Sequence, residues 1–104
     1  MKAAVVVANE DVRYQEVEEP QVKPGWVKVK VKCSGICGSD VPRVLHNGVH
    51  FYPIVLGHEF SGDVVEVGEG VTKVKVGDRV SGAPLIPCMK CDDCQNGNFS
   101  PCKH

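Results

Sequence analysis

Residues 26–33, Trp26-Val27-Lys28-Val29-Lys30-Val31-Lys32-Cys33, decide the fold. Val27, Val29, Val31 and Cys33 fall on one side, and Trp26, Lys28, Lys30 and Lys32 on the other. A period of two is the signature of an extended chain with one wet face, because successive side chains of a strand point to opposite sides. The stretch predicts a half-buried strand. Cys33, at the end of its apolar side, reads as a small core residue.

Working outward, residues 2–7 (KAAVVV) and 11–17 (DVRYQEV) predict two earlier strands, and residues 18–25 (EEPQVKPG) a proline-broken loop. Residues 59–70 (EFSGDVVEVGEG) predict a strand in which Gly62 marks a bulge or a close backbone approach. Residues 76–84 predict another, entered through a turn at Gly77 and Asp78. One short segment suits a helix: Ser39 or Asp40 could cap it, Pro42 fits its first turn, and Gly48 ends it. With eleven glycines and seven prolines, the pattern is that of a small, mainly β protein, a partly open barrel or a sandwich.

The 104 residues suffice for one domain. A net charge of −1 gives no electrostatic reason to expect a nucleic acid or membrane partner. No apolar run approaches the roughly 18 residues of a membrane span, and the first residues read as a strand and not as a signal peptide. The expected setting is a reducing, cytoplasmic one. No G-x-G-x-x-G follows a strand and opens a helix, so nothing here predicts dinucleotide binding.

Cys88, Cys91 and Cys94 lie three apart, and Cys102 follows after the loop QNGNFSP. Disulfides between such near neighbours would close only tiny, strained rings. Four thiolates suit a tetrahedral zinc site with no open position, which is a structural site. Asn96, Gly97, Asn98 and Pro101 have the chemistry to reverse the loop and bring Cys102 back. Within this lobe, over 84–104, only Met89 and Phe99 offer nearby apolar support.

Upstream, CSGICGSD (33–40) and PIVLGHEFSG (53–62) supply Cys37, His58 and Glu59, the kind of three-ligand set that catalytic zinc sites use. Asp40 could orient the far ring nitrogen of His58, and Ser39 could hydrogen-bond a substrate hydroxyl and relay its proton. Spacing alone leaves other readings open: Cys37 as a core residue and His58 as a loop histidine. His58 and Glu59 are also adjacent, and in an extended segment they would point apart, so both can serve one ion only across a kink.

CGSD, GHEFSGDVVEVG, VKVGDRV and the four-cysteine lobe occur in the order of the zinc-dependent medium-chain alcohol and polyol dehydrogenases, whose sorbitol dehydrogenase branch the chain resembles. The resemblance implies a GroES-like barrel with short helical turns and a zinc-clasped cysteine loop. It implies NAD(P)-linked oxidation of a secondary hydroxyl of a polyol or polyol phosphate, with zinc as the Lewis acid. It makes Cys37, His58 and Glu59 the catalytic zinc set, Ser39 the hydroxyl beside the substrate, Asp40 the orienting carboxylate, and Cys88, Cys91, Cys94 and Cys102 the structural zinc set. It implies a homo-oligomer for the longer enzyme. Residues 1–104 then correspond to the first part of the catalytic domain, without the nucleotide-binding domain, and the piece alone is expected to bind zinc without turning over. Arg43, six residues after Cys37, is a candidate for a substrate phosphate because a guanidinium matches phosphate geometry. The alternatives are a stand-alone zinc-binding interaction module and a ring-forming structural domain.

Overall fold

The structure, a computed structural model, describes residues 1–102. The lobe expected over 84–104 is therefore followed to Cys102, and its last two positions lie outside the described residues.

Among the described residues, five strands form two antiparallel sheets. β1 (Lys2–Ala8) pairs with β2 (Asp11–Glu16) across a tight turn at Asn9 and Glu10. In the second sheet β4 (Phe60–Val67) is central, between β3 (Val27–Ser34) and β5 (Arg79–Ser81). All five expected strands are present, β5 shorter than its sequence pattern. No barrel closes among the described residues, in line with a partly open one. An isolated bridge joins the sheets' surroundings: Val6 and Ile54 exchange both backbone hydrogen bonds, at 2.8 and 3.0 Å.

The helix expected after Ser39 is a single turn, α1 (Asp40–Pro42), continued by a wide π-type turn over Arg43–Asn47 and stopped at Gly48. Ser39 takes the capping position but makes no side-chain cap hydrogen bond. A further short helix, α2 (Asp92–Gln95), lies in the cysteine lobe, where the sequence pattern predicts only a loop.

The alternation of β3 is only partly expressed. Val27 and Val29 are half-buried, but Val31 is 53% exposed and Cys33 is exposed, so Cys33 is not the core residue its position suggests. Two causes combine. The register with β4 slips between Lys28 and Val29 and again between Val31 and Cys33, which breaks the period. β3 is also an edge strand, with one side unpaired.

The small core consists of Val5, Val6, Val64 and Cys94, with Val64 the most enclosed at 1% exposure. Gly62 explains how β3 and β4 come so close. A Cβ there would run into the carbonyl of Lys30 and lie 2.8 Å from a methyl of Val29. The chain exposes 7997 Å², against roughly 5,700 Å² for a self-contained monomer of 11.2 kDa. Its radius of gyration is 15.7 Å, where about 13 Å is usual for this length. Many of its large apolar side chains therefore face solvent, among them Ile36, Phe51 and Ile86.

Replacing Gly62 by alanine should lower stability by about 1–3 kcal/mol, because backbone rather than a movable side chain meets the methyl. Val65→Ala, on the exposed side of the same strand, should shift it by only about 0.5 kcal/mol. Urea midpoints test this, and an unchanged midpoint for Gly62→Ala would show that the strands can part at Lys30 freely.

Candidate metal centres

Among the described residues, two groups of metal-ligating side chains converge. In each, the donor atoms lie within 4.8 Å of one another.

The first is Cys88, Cys91, Cys94 and Cys102. Cys91 stands in extended conformation just before α2, and Cys94 is buried within it. The amides of Gly97 and Asn98 donate to the carbonyls of Cys94 and Asp93, which reverses the chain, and the Cys102 amide then donates to the Phe99 carbonyl. Sγ of Cys88 lies 3.8 Å from Sγ of Cys94. That is about the edge of a tetrahedron with ~2.3 Å zinc–sulfur bonds. Sγ of Cys88 accepts from the amides of Lys90 and Cys91, each at 3.3 Å, and these donors pull its thiol down to about 6. Burial pushes Cys94 up to about 12. All six cysteines are free thiols. Of the two apolar residues expected to support the lobe, Phe99 is half-buried and Met89 is exposed.

The second is Cys37, His58 and Glu59, the first two half-buried and the third exposed. A turn closed from both ends fixes Cys37: its amide donates to Oδ2 of Asp40 at 3.1 Å, and the Asp40 amide donates to the Cys37 carbonyl at 2.9 Å. Asp40 is only 7% exposed. Its other oxygen, Oδ1, lies 3.6 Å from Nδ1 of His58 and has no closer polar partner. A buried carboxylate oxygen left waiting beside an imidazole nitrogen suits a histidine whose far nitrogen holds a cation. A thiolate, an imidazole and a carboxylate form a donor set that suits zinc.

The kink needed for both His58 and Glu59 is present. Residues 55–59 are irregular, and Gly57 has φ +131°, which a side chain would resist. Without a pleat to alternate sides, adjacent residues can face one point. The segment is held at both ends, by the Ile54 bridge to β1 and by the Gly35 amide donating to the Glu59 carbonyl at 2.7 Å.

Cys37, His58 and Glu59 line an open cleft of about 590 Å³ together with Phe60, Ser81 and Gly82. Cys33 lines it too, a placement that its position four residues before Cys37 could have suggested. Ser39 and Arg43 are exposed on the neighbouring turns, outside the two converging groups. His46 and His50 are likewise exposed.

The fold and the paired centres define a class. The chain belongs to the family of the alcohol dehydrogenase GroES-like domain, whose model matches residues 23–104. Among particular proteins, it is 47% identical over 103 residues to galactitol 1-phosphate 5-dehydrogenase of Escherichia coli (strain K12), an overlap of 98% of this chain and 30% of that one. It is 42% identical over 107 residues to sorbitol dehydrogenase 2 of Saccharomyces cerevisiae, covering 98% of this chain and 30% of that relative. The crystal structure of galactitol-1-phosphate dehydrogenase from Escherichia coli superimposes with a TM-score of 0.93 at 46% identity, covering 100% of this chain and 30% of that one. The chain thus spans about 30% of the length of the curated relatives it matches.

In metal-free protein near neutral pH, Cys88 should be alkylated first and Cys94 last, since the one is largely thiolate and the other remains a thiol. As the pH falls through about 6 the Cys88 reaction should slow, because its sulfur takes a proton there. Peptide mapping by mass spectrometry reads the order, and preferential labelling of Cys94 would contradict the assigned environments.

Proposed function

We propose that residues 1–104 are the metal-binding part of a longer zinc-dependent dehydrogenase that oxidises a secondary alcohol of a polyol phosphate to a ketone. The observation that carries this reading is the meeting of Cys37, His58 and Glu59 beside the buried carboxylate of Asp40. The similarity to polyol dehydrogenases supports it, and galactitol 1-phosphate is the substrate that the similarity favours. A zinc ion bound there supplies Lewis-acid polarisation of the alcohol oxygen.

The residues have distinct tasks. Cys37, His58 and Glu59 would hold the ion. Asp40 fixes the ring of His58 through Nδ1 and keeps Cys37 in place through its amide. Ser39, whose hydroxyl makes no cap bond, accepts the proton leaving the substrate hydroxyl and passes it to solvent. Arg43 meets the phosphate. Cys88, Cys91, Cys94 and Cys102 would hold a second, structural ion, tying a lobe with little apolar support. NAD(P), held by a nucleotide-binding domain outside these residues, would supply the hydride acceptor. The 104 residues alone are therefore inactive. The longer enzyme is a cytoplasmic homo-oligomer, in a setting that keeps its thiols reduced. The surplus exposed surface is the area that the rest of the catalytic domain covers.

Elemental analysis of the 104-residue chain should find up to two zinc per chain, the second easily stripped. Cys37→Ser should remove that second ion and leave the first; a Cys37→Ser variant with undiminished zinc would refute the assignment. In the full-length enzyme, Arg43→Met should raise KM for galactitol 1-phosphate about tenfold or more with little change in kcat, and leave KM for unphosphorylated galactitol unchanged. Equal effects on both substrates would remove Arg43 from the phosphate site.

A further inference from the structure

We infer that Gly35 is a positioning residue for the Glu59 carboxylate, an inference that rests on the zinc reading above. Gly35 follows β3 and lines the cleft beside Cys37. Its φ lies outside the left-handed region, so the chain there accepts any L-residue, and the requirement for glycine is one of space. A Cβ at Gly35 would stand 3.0 Å from Oε2 of Glu59, 3.5 Å from its Cβ and 3.7 Å from its carbonyl oxygen. All three neighbours belong to one residue.

The side that yields is fixed by the backbone. The Gly35 amide donates to the Glu59 carbonyl at 2.7 Å, the last link beyond the Ser34–Phe60 pair of the β3–β4 ladder. Residue 35 cannot back away without breaking that link. The Glu59 carboxylate is exposed and at the end of a flexible side chain, so it gives way at little cost. A methyl at position 35 therefore pushes the carboxylate away by a few tenths of an ångström, enough to spoil its distance to an ion shared with Cys37 and His58, and leaves the fold intact. The missing side chain of Gly35 leaves the Glu59 carboxylate the room it has beside Cys37 and His58.

Cadmium-113 NMR of the full chain tests this, because the resonance moves with the number of sulfur ligands and so separates the four-cysteine centre from the mixed one. Chelator competition supplies affinities. Gly35→Ala should move or broaden the mixed-site resonance and weaken that site about 10-fold or more, within the range seen when a ligand's support is removed. The four-cysteine resonance should not change. In a Glu59→Ala background, Gly35→Ala should have no further effect. The inference is overturned by an unchanged resonance and affinity in Gly35→Ala, or by an equal loss in the Glu59→Ala background. Loss of the four-cysteine resonance in Gly35→Ala would overturn it as well, by assigning the glycine to the fold. A wild-type chain with no mixed-site resonance would instead remove the zinc reading itself, and the role of Gly35 with it.

Discussion

Antiparallel pairing of β3 and β4 governs the molecule. The ladder runs from Val27 opposite Val67 to Ser34 opposite Phe60. In an antiparallel pair, whatever follows one strand must lie beside whatever precedes the other. Cys37 and His58 are twenty-one residues apart, yet this geometry makes them neighbours. The ladder depends in turn on Gly62, where any side chain would strike the backbone of Lys30. The approach to His58 is held from another direction by the Ile54 bridge to β1, and the turn after Arg43 is tied to the β1–β2 hairpin by the Glu10 amide donating to the Val44 carbonyl. The candidate site is thus where the two sheets and the short helical turn are tied together, which explains how so small a core can hold it.

Much of this was legible in residues 26–33 and 57–62. Alternation predicted β3, and Gly62 signalled a close approach that the structure contains. The fate of Cys33 was not legible, because alternation says which side a residue takes but not whether anything covers that side. The register slips are invisible for a related reason: a bulge is decided by two strands at once, and each looks regular alone. The joint convergence of His58 and Glu59 rests on an irregular segment, where no period applies, and only Gly57 hinted at it. α2 was missed because Asp92–Gln95 is a single turn placed by the four-cysteine cluster and not by an apolar stripe.

The two centres differ in a way that fits different tasks. In the lobe, one sulfur is buried, the others are half-buried, and neighbouring amides already favour a thiolate on Cys88 while burial resists one on Cys94. Four thiolates so close would repel one another, and a divalent cation bound among them would convert that repulsion into cohesion. The mixed centre has a single sulfur and opens onto the cleft. Its rigidity comes from behind, from the Cys37–Asp40 turn, with Oδ1 of Asp40 standing 3.6 Å from His58. Its accessible side carries the exposed carboxylate of Glu59.

That gradient of burial, from Asp40 through His58 and Cys37 to Glu59, meets a second feature next door. Ile36 sits between Gly35 and Cys37 and is 83% exposed, yet it lines an apolar hollow of about 420 Å³ with Val12, Leu45 and Leu56. Gly35 lines both this hollow and the metal-site cleft. The strand-to-helix connection is therefore a thin wall with an apolar side and a ligating side. Covering the apolar side would stabilise the molecule by roughly 25 cal/mol for each Å² of apolar surface removed from water. It would also stiffen the backbone that carries Cys37 and the space beside Glu59. Completion of the core and definition of the metal site are, in this architecture, consequences of the same packing.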